Sequence, residues 1–217
     1  MALGLPQASG GEDRTPVIKY DARAGRLFRV DRAQVNGSWV TNDVEVTPVF
    51  QAIMDLERIE IGWLYFPTGA APEITTAPFG SAMPPKPSDK HRSGFRVHML
   101  TGKQTGGDVR EMASNAQVSI KGMDALHDAF LTGAKANPGK LPVVKLGQTV
   151  PVSTSGKGAD GKPVSSTNYQ PVWEIVKWVD RPAELTADGK AAAVAQAQPE
   201  PEPEPQPIAA PNVDEDF

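Results

Sequence analysis

Between Thr15 and Val179 the chain offers one strand-type segment after another and a single strong helical period, an order that narrows the architectures open to it. Residues 17–20 and 26–32 are short extended runs separated by the turn-rich residues 21–25. Within the second run Arg26, Phe28, Val30 and Arg32 share one face, and Leu27, Arg29 and Asp31 the other. Asn36-Gly37, a hairpin-type pair, leads into Ser38-Trp39-Val40. Residues 44–50 read as extended, with Pro48 placing them at an edge or bulge. Residues 58–66 form the strongest strand signal, and Gly62 inside it marks a bulge or a close backbone approach. Residues 94–100 alternate Phe95, Val97 and Met99 against Arg96, His98 and Leu100. Residues 141–146 and 149–152, joined by Gly147-Gln148, and residues 169–179 complete the strands.

Ile120, Met123, Leu126 and Phe130 recur at helical spacing and predict a helix over residues 119–134, closed by Asn137-Pro138-Gly139. Residues 108–116 read as a second, short helix. Residues 67–88 hold Pro67, Pro72, Pro78, Pro84, Pro85 and Pro87 and read as a long irregular loop, as do the polar residues 153–168. Helical signals sit between strands without alternating with them, which argues against a doubly wound parallel sheet. The expected fold is mainly β: an OB-fold-like five-stranded Greek-key barrel with long loops and one or two inserted helices.

The C-terminal segment is of another kind. Pro and Glu alternate from Pro199 to Pro205, a pattern that supports neither helix nor sheet. Beyond it stand Asp214, Glu215, Asp216 and Phe217, three acids against a terminal aromatic ring. The segment from Ala191 onward carries six acids and no base, which leaves 20 acids against 22 Lys and Arg in the rest of the chain. A mildly basic body thus bears an acidic arm, although the net charge is −4. The divisions that follow are a flexible N-terminus over 1–14, an OB-like domain over 15–182, a disordered Pro/Ala/Glu-rich linker over 183–211 and an acidic tip over 212–217. There are no cysteines, so thiolate metal sites and disulfides are excluded. Residues 1–11 lack the basic-then-apolar order of a signal peptide, and no apolar run approaches the ~20 residues of a membrane helix. The expectation is a cytoplasmic protein with no membrane partner.

Catalytic chemistry finds little support. His91, His98 and His127 have no metal-ligand spacing, Gly102–Gly107 lacks a phosphate-loop ending, and Asp124 and Asp128 read as a solvated helix face. No enzyme activity, metal or cofactor is expected. Single-strand nucleic-acid binding fits better, because it needs cations for phosphates and aromatic faces for bases. Residues 86–103 interleave Lys86, Lys90, His91, Arg92, Phe95, Arg96, His98 and Lys103 against the single acid Asp89. Trp39, Trp63, Tyr65 and Trp173 are further stacking candidates.

The acidic tip with its terminal Phe, the Pro-rich arm and the cysteine-free body with basic and aromatic patches together resemble the single-stranded DNA-binding proteins of bacteria and their phages. Residues 61–66, Ile-Gly-Trp-Leu-Tyr-Phe, look more like a phage-encoded version. The resemblance implies an OB-fold body that wraps single strands in DNA replication, recombination and repair. It also implies that Asp214, Glu215, Asp216 and Phe217 dock on replication and recombination proteins. Homo-oligomer formation stays open. The alternative is a phage structural or assembly protein whose acidic tail serves solubility or docking.

Overall fold

The computed structural model describes residues 15–36, 38–157 and 163–186. The described residues build one curled ten-stranded sheet and one long helix, a mainly β, barrel-like body. The strands are β1 (Val17–Asp21), β2 (Arg26–Val35), β3 (Ser38–Glu45), β4 (Gln51–Met54), β5 (Glu60–Tyr65), β6 (Glu73–Pro78), β7 (Arg92–Thr101), β8 (Val109–Ser114), β9 (Lys140–Lys157) and β10 (Pro163–Asp180), with α1 (Gln117–Ala134) between β8 and β9.

The sheet runs β10-β9-β4-β7-β8-β1-β2-β3. β4 and β5 share one edge of β7, β4 along its C-terminal end and β5 along its N-terminal end, and β6 extends the sheet beyond β5. All these pairs are antiparallel except β1 with β8. The curl brings the β1–β2 turn against the middle of β10. There the Tyr169 amide donates to the Ala22 carbonyl at 2.7 Å, and the Tyr20 hydroxyl donates to the Tyr169 carbonyl at 2.8 Å. Burial and then the nearby Asp21 charge push the Tyr20 hydroxyl up to about 12, so it remains a donor.

Inside the curl lie Ile18, Leu27, Met54, Phe95, Val97, Met99, Met112 and Val144. α1 seals this core with Met123, Leu126 and Phe130, each side chain contributing roughly 1.5–3 kcal/mol by leaving water. Its contact with β10 depends on a glycine, since a Cβ at Gly122 would fall 2.5 Å from the Pro171 carbonyl oxygen.

Several local expectations are corrected. Residues 108–116 form strand β8, not a helix: Arg110 and Met112 turn inward, and pairing with β7 and β1 overrides their helical propensity. The irregular loop over 67–88 contains β6, whose Ile74-Thr75-Thr76 pairs with β5. Gly147-Gln148 does not separate two strands but lies within the continuous β9, at an irregularity in its pairing with β10. Strand pairing in β9 and β10 also takes up both flanks of the polar loop expected over 153–168. The extended run over 44–50 ends at Glu45, and Thr47–Val49 is a 3-10 turn with Pro48 in its first positions.

Candidate nucleic-acid interface

The site is built around β5. Register places Trp63 opposite Ser93 and Ile61 opposite Phe95, so the odd-numbered β5 residues share the face of β7 that carries the core. Leu64 stands opposite Arg92, and Glu60 opposite Arg96, on the other face. Leu64 is buried, Trp63 and Tyr65 are half-buried, and Phe66, just past the strand, is exposed.

Residues 79–91, the strap, run along the Trp63 and Tyr65 face from the end of β6 to the start of β7. At one end the Phe79 amide donates to the Ile59 carbonyl at 2.9 Å. At the other, His91 is buried, its Nδ1 sits 2.8 Å from Ser88 Oγ, and its Nε2 lies 3.4 Å from a Glu73 carboxylate oxygen. Midway, Trp63 Nε1 donates to the Pro84 carbonyl at 2.8 Å. The strap sets Lys86 Nζ 5.5 Å from the centre of the Trp63 ring and Lys90 Nζ 5.8 Å from that of Tyr65. Each such exposed cation–ring contact contributes about 0.5–1 kcal/mol. The His91 ring also tilts against Tyr65, 5.7 Å between centres. Pro84, Pro85 and Pro87 have no amide hydrogen, which limits the strap's capacity to join the sheet as another strand.

Beyond Trp63 the same face opens into a cleft of about 240 Å³, lined by Ile59, Ile61, Phe79, Met83, Phe95 and, from α1, His127 and Asp124 among others. Phe79 is 53% exposed and meets His127 edge-on at 4.5 Å. Burial pulls the His127 pKa below its ordinary value, against the charges of Asp128 and Asp124 and a hydrogen bond to the Leu56 backbone. Phe79 and Met83 escaped the sequence reading. Their signal is two large apolar side chains within a Pro-rich, otherwise polar loop.

The opposite face holds Arg92, Arg96 and His98. Arg96 gives two hydrogen bonds to one Glu60 oxygen, at 2.8 and 2.5 Å, and Thr76 donates to the same oxygen at 2.5 Å. Burial pushes the Glu60 carboxyl up, but those hydrogen bonds and the charges of Arg96 and His98 outweigh it, and its pKa falls below the usual value. Farther across this face Lys19 pairs with Asp43 and Arg26 with Glu45. Arg92, at the first position of β7, is exposed.

The basic-aromatic zone over 86–103 is therefore divided between two faces of one sheet. Lys86 and Lys90 join Trp63 and Tyr65 on the strap side, whereas Arg92, Arg96 and His98 stand on the other. Phe95 is 4% exposed and belongs to the core, which takes its ring off the surface. Trp173 packs against the core between Tyr20 and Phe50, at 6.5 and 5.9 Å. Trp178 stacks on Phe130 at 5.7 Å, so both tryptophans of β10 pack against the core or α1. Plain alternation would put them on opposite faces, but an irregularity between Ile175 and Lys177 resets the register. Lys103 is exposed in a 3-10 turn past the far end of β7. The ten residues of that strand separate it from the strap by roughly 30 Å. Trp39 stands on β3 opposite Gln34, and its side chain lies outside the described residues. So do Asp214, Glu215, Asp216 and Phe217.

Among the described residues no group of three His, Asp or Glu side chains converges as a metal site would require, and no helix is long and apolar enough to cross a membrane. Comparison with protein-family models, with curated proteins and with solved structures gives no match.

Proposed function

We propose that this protein binds single-stranded DNA without sequence preference, as a non-catalytic, phage-type single-strand-binding protein. The observation that carries the reading is the pair of lysine–aromatic contacts, Lys86 with Trp63 and Lys90 with Tyr65, side by side on one face. Cations for phosphates and ring faces for bases are what sequence-tolerant single-strand binding requires, with stacking contributing about 1–3 kcal/mol per base.

Connectivity supports it. Taking β4 with β5 as one interrupted first strand, the path β10-β9-β4-β7-β8 has the order 5-4-1-2-3, and α1 falls between the third and fourth strands. The fourth strand returning beside the first is a Greek key, and we read the whole as an OB-like barrel elaborated by β1–β3 and β6. OB folds take oligonucleotides on the face of strands two and three and on the loops joining strands one to two and four to five. The strap lies within the first of those loops. In this reading Asp214, Glu215, Asp216 and Phe217 recruit replication and recombination proteins, the acids steering the encounter and the ring providing the anchor.

The test is a titration of the full chain with a labelled poly-pyrimidine oligonucleotide and with duplex of equal length, each at two salt concentrations. Tight binding of the single strand alone, weakened by salt, is the expected result. No response to the single strand, or equal affinity for duplex, sinks the reading.

A further inference from the structure

We infer that Lys86 and Lys90 are place-holders: they occupy the ring faces of Trp63 and Tyr65 until a single strand arrives, then yield those faces to two bases and move to the flanking phosphates. The inference rests on single-strand binding and deepens it by naming the stacking positions and the exchange that opens them.

Three observations lead there. First, both ammonium groups lie within about 6 Å of the ring centres, the range of a cation–ring contact. Second, the ring faces already hold a cation, so a base must displace it. An exposed cation–ring contact is weaker than base stacking, so the displacement runs toward the bound state. Third, the strap is tied at its ends, by the Phe79 amide on the Ile59 carbonyl and by the buried His91 against Tyr65, and once between, by the Trp63–Pro84 hydrogen bond. Residues 80–83 and 85–90 are exposed throughout, so neither lysine is held in place by its own burial. Among the described residues no carboxylate pairs with either lysine, in contrast to Lys19, Arg26 and Arg96 across the sheet. Their charge is thereby left for phosphate.

The experiment is proton–carbon NMR of the full chain labelled at lysine, with Lys86→Gln and Lys90→Gln spectra assigning the two ε-methylene signals. In the free protein both signals are expected upfield of ordinary lysine through the ring currents, and Trp63→Leu should return that of Lys86 alone to its ordinary position. On addition of oligo(dT) both signals move to ordinary lysine positions, and the Trp63 indole N–H signal shifts with them. Binding seen by anisotropy with the upfield shifts retained overturns the exchange while leaving single-strand binding intact. Absent upfield shifts in the free protein overturn it as well, and absence of any oligonucleotide binding removes the reading beneath it. As a second measurement, Lys86→Gln/Lys90→Gln should flatten the dependence of log affinity on log salt by about 1.4, two phosphate contacts' worth on single strands. Tighter binding by that variant at every salt concentration would mean that the strap only obstructs.

Discussion

The two faces of the β5–β7 sheet carry similar side chains and put them to different use. On the strap face Lys86 and Lys90 lie on aromatic rings, a contact that leaves the positive charge in place. On the other face Arg96 is held by Glu60, Lys19 by Asp43 and Arg26 by Glu45, so much of the positive charge is already balanced. A count of basic residues cannot distinguish the two. What a cation rests against decides whether it remains available to a phosphate.

That contrast is open to direct attack. The largest effect should come from the rings: Trp63→Ala/Tyr65→Ala is expected to weaken oligonucleotide binding by roughly thirtyfold or more, from about 1–3 kcal/mol per stacked base. Anisotropy checks it, with thermal melts confirming that the variant remains folded. Next comes the arginine face. Arg96→Ala leaves the partly buried Glu60 without its main partner and should cost about 1–2 kcal/mol of stability, read by denaturant melts. The salt dependence of DNA binding should hardly change. A slope that falls in Arg96→Ala and holds in the Lys86→Gln/Lys90→Gln variant would reverse the assignment of the two faces. A smaller effect is expected on acidification. His127 has a depressed pKa in the fold, so the unfolded chain binds its proton first, and stability should begin to fall as pH drops through about 6.5. Glu60, also depressed, adds a loss at lower pH, as its folded carboxyl takes up a proton below the ordinary value near 4.5. Melting temperature against pH should show the first step in the native chain and lack it in His127→Gln.

Much of the framework was legible in the sequence. The helical period of Ile120, Met123, Leu126 and Phe130 gave α1, and Asn36, which takes a φ of 51°, marked the end of β2 where the chain pairs back as β3. The β8 segment misled because its inward residues are Arg110 and Met112, and an arginine is a core-facing residue only once Asp31 and Asp108 hold it. Ile74-Thr75-Thr76 had strand character, masked by the prolines around it. Gly62 did mark a close approach, since a Cβ there would strike the Thr75 backbone of β6. The candidate site was legible in residue types but not in grouping. Proximity along the chain joined Lys90 to Arg92 and Phe95, whereas strand alternation and the fold of the strap give Lys90 to Tyr65 and Phe95 to the core. Such long-range partners follow from register, which no local pattern prints.

The most direct test of the account is photo-crosslinking of the full chain to an oligonucleotide carrying 5-iodouracil, with the attachment sites mapped by mass spectrometry. Stacking on the strap face predicts crosslinks at Trp63 and Tyr65, lost when either ring is replaced. Crosslinks confined to the opposite face, at His98 or Phe28, with Trp63 and Tyr65 untouched, would contradict it.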